Sequence, residues 1–159
     1  RRDLPGAGYD NTYPYQIGGL TDIDLTVDEG NLYAIYSTGA AGGRFVVSRL
    51  HPGSLAVIET WTTPTSDLKN DYAAAFIACG VLYGINSETR TGTCFYCEET
   101  TIDFSWDLSS GATGVPGITL VSPGGAGTLN LGSVDYNARD GNLYVYRGGY
   151  MGLIEPRWD

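Results

Sequence analysis

Two carboxylates in this sequence stand among apolar residues typical of strands. Asp24 lies in the segment Thr-Asp-Ile-Asp-Leu, and Asp135 lies in the segment Ser-Val-Asp-Tyr. An unpaired buried carboxylate is costly, so each requires a cation, a salt bridge or several N–H donors. Because basic residues are scarce, a hard divalent ion bound by carboxylate and carbonyl oxygens is a candidate partner. The residues alone leave open that both side chains are exposed or cap turns.

Cys94 and Cys97 are a second group that could do chemistry. Glu98 and Glu99 follow the pair directly and disfavour a thiolate, and no helix follows, so we reject redox catalysis. A zinc site would need more Cys or His ligands than the chain offers. A local loop disulfide formed in an oxidising compartment is the preferred interpretation, with an intermolecular bond second.

Arrangements typical of enzymes are missing from the sequence. The single histidine, His51, lies in a Pro-Gly turn, so no Ser/His/Asp relay can be identified. The Gly-rich segments lack the Lys-Ser/Thr of a phosphate-binding loop. A pair of acids for glycoside hydrolysis stays open, because the separation of two carboxylates is a three-dimensional quantity. We predict that the protein is not an enzyme.

Composition narrows the class of protein. The chain has 159 residues, and its 18 acidic against 9 basic residues give a net charge of −9. This charge excludes a general phosphate-binding surface for nucleic acid and argues against attachment to anionic lipid. No apolar run is long enough for a membrane span. Abundant Gly, Tyr and β-branched residues, with few helix formers, predict an all-β protein.

Short strand patterns run along the chain, without an amphipathic helix of ten or more residues. We predict strands at 22–27, 32–36, 44–50, 55–61, 81–85, 101–106, 117–121 and 143–146, and a strand or short helical turn at 73–77. Turns at 28–31 and 51–54 are typical of hairpins.

A Gly-x-Leu-Tyr motif occurs three times, at Leu32, Leu82 and Leu143. Repeats of roughly 40–60 residues with about four short strands each are typical of β-propeller blades. Chance recurrence in a Tyr-rich β protein is the alternative. Three blades are fewer than the usual minimum of about four. We therefore expect either that these residues are the C-terminal part of a longer domain or that another chain completes the ring.

Many further motifs follow one another in an order typical of a known family. They include Leu4-Pro-Gly-Ala-Gly-Tyr9, Tyr13-Pro-Tyr15, Thr21-Asp-Ile-Asp-Leu25, Ala75-Phe-Ile-x-Cys-Gly80 and Val134-Asp-Tyr-Asn137. As a set they resemble the olfactomedin domain, an extracellular five-bladed propeller, with looser agreement between residues 86 and 130. The resemblance implies that residues 1–159 form about three of the five blades, and that the N-terminal blades lie outside this chain.

The resemblance also implies a metal site in the central channel. A calcium ion would be held by the side chains of Asp24 and Asp135 and by the carbonyls of Ala75 and Val134. An adjacent monovalent cation, such as sodium, would be held by Asp22 and by the carbonyl of Leu25. The family has an Asn at the position of Ala74, which offers no side-chain oxygen. We therefore expect weakened calcium affinity and leave occupancy open.

For Cys79, the resemblance implies a disulfide with a cysteine near the N-terminus of the domain, outside this chain. A buried free thiol is the alternative.

For function, the resemblance implies a secreted structural or adhesive module of the extracellular space. Its partners would be extracellular proteins, further copies of the chain in an oligomer or filament, and the missing N-terminal segment of the same domain. The alternatives are a propeller glycosidase or lyase that uses the channel carboxylates, and a carbohydrate-binding module.

Overall fold

The structure is a computed structural model that describes residues 2–16, 21–87, 100–120, 133–147 and 150–156. The first sheet contains, in spatial order, β1 (Asp24–Asp28), β2 (Asn31–Tyr36), β3 (Val46–Leu50) and β4 (Val57–Thr62). The second contains β5 (Ala74–Ala78), β6 (Val81–Ser87), β7 (Thr100–Asp107) and β8 (Thr113–Gly114), and β9 (Ile118–Leu120) also pairs with β7. The third contains β10 (Ser133–Asn137), β11 (Asn142–Arg147) and β12 (Tyr150–Ile154).

The repeat marks the same strand of each sheet. Leu32, Leu82 and Leu143 lie on β2, β6 and β11, each the second strand of an antiparallel sheet whose strands follow chain order. This arrangement confirms the predicted all-β class and is consistent with three blades of an olfactomedin-type propeller. The 73–77 segment is a strand rather than a helical turn. The predicted strand ranges omit β8 and β12, which are short or interrupted by Gly, and also β10, although the residues around Asp135 on β10 are typical of a strand.

Two hairpins close in the same way and are tied together by one carboxylate. The turn residues Glu29 and Gly30 have φ of 46° and 77°, and Cys79 and Gly80 have φ of 53° and 74°. Two successive positive φ angles are typical of type I′ turns, which match the twist of paired strands. The buried carboxylate of Asp28 accepts hydrogen bonds from the N–H groups of Cys79 at 3.0 Å and Gly80 at 2.8 Å. The β1–β2 hairpin therefore holds the turn of the β5–β6 hairpin.

Two apolar layers join the three sheets face to face. The layer between the first and second sheets includes Ile35, Phe45, Ile77, Phe104 and Trp106. The layer between the second and third sheets includes Phe76, Ile85, Ile102, Leu143 and Val145. β7 contributes to both layers, because an irregularity in its pairing with β6 between Gly84 and Ile85 changes the face that its side chains occupy.

The innermost strands of the three sheets meet. β1, β5 and β10 each contact the other two, so residues near the middle of these strands share one junction. Among the described residues, helical structure is limited to a 3₁₀ turn at Lys69–Asp71, and no helix is long and apolar enough to cross a membrane.

Candidate functional site

The junction of β1, β5 and β10 gathers the predicted calcium residues around the hydroxyl of Tyr15. The Tyr15 hydroxyl donates to a carboxylate oxygen of Asp24 over 3.5 Å, and the backbone of Ala75 also hydrogen-bonds it. Burial, followed by the negative charges of Asp24 and Asp135, raises the pKa of Tyr15 well above its ordinary value. Asp24, Ala75 and Asp135 are thus brought together, and Val134 precedes Asp135 on β10.

The two carboxylates at this junction, Asp24 and Asp135, oppose each other electrostatically. Burial and then the charge of Asp135 raise the pKa of Asp24 to about 6, although the Leu25 N–H donates to Asp24 at 2.9 Å. Partial desolvation also raises the pKa of Asp135, although this residue is exposed on β10. Because each raised pKa reports a carboxylate that is poorly compensated as an anion, a cation between them would stabilise both.

A buried lysine supplies part of the missing positive charge. Lys69 is 0% exposed, and its ammonium donates to the carbonyls of Tyr13 and Thr21, both at 2.9 Å. The ammonium also lies 3.8 Å from the centroid of the Tyr15 ring, a cation–π contact. Burial lowers the pKa of Lys69 to about 8, while the charges of Asp24 and then Asp22 oppose that change.

Asp22 organises the loop that precedes β1. Its carboxylate accepts hydrogen bonds from the backbone N–H groups of Asn11, at 2.6 Å, and Tyr13. Asp10 and Asn11 have φ of 54° and 65°, so this carboxylate stabilises a turn in the left-handed region. A Cβ on Gly8 would lie 2.9 Å from a carboxylate oxygen of Asp22, which leaves room there for glycine alone.

Sequence reasoning found the carboxylates of this site but missed Lys69 and Tyr15. Composition carried one signal, because Lys69 is the only lysine in the chain. In a chain rich in Tyr and acidic residues, a lone lysine can be buried because an aromatic ring and nearby carboxylates compensate its charge. Tyr15 lies in the Tyr13-Pro-Tyr15 motif of the resemblance, but nothing in that motif assigns its hydroxyl to this site.

The oxygen atoms at this junction are of the type that a hard divalent cation binds, but few of them belong to side chains. No group of three or more His, Cys, Asp or Glu residues able to hold a metal occurs in the described part of the chain. The calcium ligands would therefore be two carboxylates completed by backbone carbonyls and solvent. The methyl group of Ala74 is buried in the layer between the second and third sheets and contributes no oxygen. For the monovalent cation predicted at Asp22 and Leu25, Lys69 already places positive charge beside Asp22.

The structure describes one of the three cysteines for which predictions were made. Cys79 lies in the β5–β6 turn with an exposed thiol, and within the described ranges it has no disulfide partner. The exposed thiol shows that the alternative of a buried thiol is wrong. Cys94 and Cys97 lie outside the described residues.

Comparison with known proteins places these features in a family. Residues 1–158 match the olfactomedin-like domain. Human myocilin is 37% identical over 145 residues, which cover 91% of this chain and 26% of myocilin. Rabbit myocilin is 42% identical over 110 residues, 69% of this chain and 21% of that protein. Mouse olfactomedin-4 is 37% identical over 151 residues, 94% of this chain and 27% of that protein. The chain therefore spans about a quarter of the length of the curated relatives that it matches.

Proposed function

The chain belongs to the olfactomedin-like domain family, and on that premise we propose that it forms part of a secreted, extracellular module that binds other proteins. The observation that carries the proposal is the family match over residues 1–158 of a chain folded as three propeller-like sheets. The carboxylates Asp22 and Asp28 accept backbone hydrogen bonds that hold loops and turns, so their roles are structural. In this proposal the channel groups stabilise a scaffold and catalyse no reaction.

The partner-binding role is tested with the intact protein that contains this chain. A multimerised form is presented to a panel of purified extracellular receptor domains, and the same sample is assayed for hydrolysis of oligosaccharides. We expect saturable binding to a protein partner and no turnover. Turnover that Asp24→Asn abolishes would instead support a glycosidase or lyase that uses the channel carboxylates.

Within this module, calcium would act as a stabilising ion. Asp24 and Asp135 would hold it through their side chains, and Ala75 and Val134 through their carbonyls. The support is electrostatic, because two carboxylates with raised pKa values at one junction lack a full counter-charge. The buried methyl of Ala74 replaces a possible ligand, so the affinity would be low.

The calcium proposal predicts a melting shift that depends on both carboxylates. Calcium in the millimolar range should raise the melting temperature of the wild type by a few degrees, because a ligand that binds only the folded state stabilises it. Asp24→Asn and Asp135→Asn should abolish the shift, whereas Glu155→Gln, at an exposed position, should retain it. Ala74→Asn should tighten calcium binding on the order of tenfold by restoring an oxygen ligand. If neither the wild type nor Ala74→Asn binds calcium in calorimetry, the proposed ion site is wrong.

The surface of the three sheets supports a larger assembly. Leu25 and Val27 on β1 are 54% and 55% exposed, and Met151 and Leu153 on β12 are 81% and 41% exposed. Such apolar faces are costly in water, so further blades of the same propeller would cover them. The exposed thiol of Cys79 would form its disulfide with a cysteine of that additional segment.

Self-association is a separate part of the proposal. Oligomers or filaments would form through loops of the completed module, as expected for a structural or adhesive protein. Sedimentation of the intact protein should then show species larger than the monomer that increase with concentration. A purely monomeric protein at high concentration would contradict self-assembly without affecting binding to other partners.

A further inference from the structure

A groove of about 780 Å³ crosses the outer part of the second sheet. Its floor is built by cross-strand pairs, because Tyr83 on β6 lies opposite Ser105 on β7, and Ser105 lies opposite Gly114 on β8. Asp107 stands at the end of β7 on the same face, beside the β8 residue Thr113. The groove shares no lining residue with the channel site around Asp24 and Asp135.

The polar atoms that line this groove have unused hydrogen-bonding capacity. Among the described residues, none bonds the hydroxyl of Ser105 or of Thr113. One carboxylate oxygen of Asp107 accepts from the N–H and hydroxyl of Ser109 and from the N–H of Ser110, at 2.7–3.1 Å. The other carboxylate oxygen bonds no group in the described part of the chain. These bonds lower the pKa of Asp107 to about 2, so it is an anion whose second oxygen can accept from a ligand.

An aromatic surface lies next to these polar atoms. Tyr83 is half-buried, and its ring is stacked on Phe76 with centroids 5.3 Å apart, which holds the ring in place. Pro116 adds a second rigid apolar surface to the lining. A few placed polar groups beside aromatic and apolar surfaces are typical of small-molecule sites. In a sugar, the C–H face packs on such a ring while the hydroxyl groups exchange hydrogen bonds with hydroxyls and a carboxylate.

Charge determines which class of sugar fits. The lining contains the anion Asp107 and no Lys or Arg among its described residues, and the whole chain has a net charge of −9. Sulfated or carboxylated sugars would therefore be repelled, whereas a neutral sugar can donate hydroxyl hydrogen bonds to Asp107. The volume of the groove admits several sugar rings.

We propose that the groove formed by Tyr83, Ser105, Asp107, Thr113, Gly114 and Pro116 binds a neutral oligosaccharide. This site is distinct from the proposed calcium site, because the two share no residue.

The test measures binding of defined tetrasaccharides to the intact protein that contains this chain. The neutral probes are chitotetraose, mannotetraose and maltotetraose, and a heparin-derived tetrasaccharide is the anionic comparison. Saturation-transfer NMR detects binding, and titration gives the dissociation constant. We expect at least one neutral probe to bind with a dissociation constant of about 1 mM or below, and the heparin fragment to bind more weakly.

Variants locate the binding to the groove. Ser105→Ala and Asp107→Asn should each weaken binding by about fivefold, because each loses hydrogen bonds to the sugar. In Gly114→Ala, the new Cβ would lie 3.2 Å from the Ser105 hydroxyl oxygen and crowd the floor, so binding should fall further. Thr119→Ala is the matched control, since Thr119 is exposed on β9 and does not line the groove.

Three results would overturn the proposal: no binding of any neutral probe at about 10 mM, stronger binding of the heparin fragment, or binding that Ser105→Ala and Gly114→Ala leave unchanged. Melting curves verify that each variant is folded, and Asp107→Asn keeps an acceptor for the turn at Ser109. The calcium-dependent melting shift should be the same in all groove variants. Loss of sugar binding is thereby distinguished from failure of the channel site.

Discussion

Lys69 joins two backbone segments that precede β1 to the rest of the channel site. Its ammonium satisfies the carbonyls of Tyr13 and Thr21, contacts the Tyr15 ring and lies close enough to Asp22 and Asp24 to oppose their charge. Burying a cation costs free energy, so the whole charged network contributes little net stability. Removing one member is nevertheless strongly destabilising, because its partners stay buried without compensation. The two carbonyls would be left without their donor, and Asp22 and Asp24 would lose the nearby positive charge.

Replacing Lys69 therefore tests the network directly. Lys69→Met keeps an unbranched side chain but removes the charge and both hydrogen bonds, and we expect it to lower the free energy of unfolding by about 3 kcal/mol. Urea denaturation measures the change. Arg139→Met is the control at an exposed cation and should change stability by less than about 0.5 kcal/mol. Equal effects of the two substitutions would show that Lys69 has no special structural role.

Asp24 makes stability depend on pH in a direction opposite to that of a salt-bridged acid. Its pKa in the folded protein, about 6, lies above the ordinary value of 3.8, so the folded state holds this proton more tightly. The unfolding free energy should therefore fall as pH rises from about 4 to about 6, by about 2 kcal/mol in calcium-free buffer. Denaturation in EDTA across this range measures the slope.

The Asp24→Asn variant should flatten that slope, because an amide does not titrate. Added calcium should act against the slope in the wild type, since calcium favours the ionised carboxylate. A wild-type curve that rises between pH 4 and 6 by the same amount as the Asp24→Asn curve would contradict the assigned direction for Asp24.

At the scale of elements, Asp28 couples two hairpins that are far apart in sequence. It ends β1, and its carboxylate binds the turn between β5 and β6, 51 and 52 residues away. It accepts hydrogen bonds from the N–H groups of Cys79 and Gly80. Both residues have positive φ in this turn, so their N–H groups point in a fixed direction. One carboxylate thereby sets the relative position of two sheets and of the exposed Cys79 thiol.

Substitution of Asp28 should loosen this connection. Asp28→Ala removes both acceptors, and we expect a loss of about 2 kcal/mol in unfolding free energy. Asp28→Asn keeps one acceptor oxygen and should lose less. Hydrogen exchange should quicken at the amides of Cys79 and Gly80 in both variants. The neighbouring, exposed Glu29→Gln is the control and should leave exchange and stability as in the wild type; unchanged exchange in Asp28→Ala would refute the connection.

At the scale of the whole molecule, three sheets leave apolar faces in contact with water. A cleft of about 450 Å³ between β1 and the β10–β11 turn is lined by Leu25, Val27 and the channel residue Asp135, among others. The cleft places an apolar wall next to a carboxylate, an environment that raises the pKa of Asp135. Additional blades that cover Leu25 and Val27 would also shield this carboxylate from water.

A paired substitution tests whether further blades cover β1 in a longer protein. Leu25→Ser with Val27→Ser should leave the stability of the 159-residue chain within about 0.5 kcal/mol and reduce its self-association, because both side chains are exposed there. In the intact protein, the same change should cost about 3 kcal/mol, since the side chains would be buried. Val115→Ser, at a site 79% exposed, should be neutral in both. Similar effects in the two proteins would show that no blade covers β1.

The sequence by itself determined the class of fold and the identity of the acidic residues. Alternating strands, the hairpin turn at 28–31 and the repeat at Leu32, Leu82 and Leu143 are local signals, because each depends on neighbours within a few positions. The residues around Asp24 and Asp135 likewise indicated that two carboxylates stand on strands. Strands without strong alternation, such as β8 and β12, were missed because their burial is decided by the sheets that pack against them.

Tertiary structure alone decided what each carboxylate does. Asp22 and Asp28 receive backbone donors and hold turns, whereas Asp24 is opposed by the charge of Asp135 and compensated in part by Lys69. Several of these partners are far apart along the chain: Asp28 binds a turn 51 and 52 residues away, and Lys69 bonds carbonyls 48 and 56 positions away. Electrostatic energy depends on distance and burial in the folded chain rather than on spacing along it. Identical side chains therefore acquire different roles only when the three innermost strands meet.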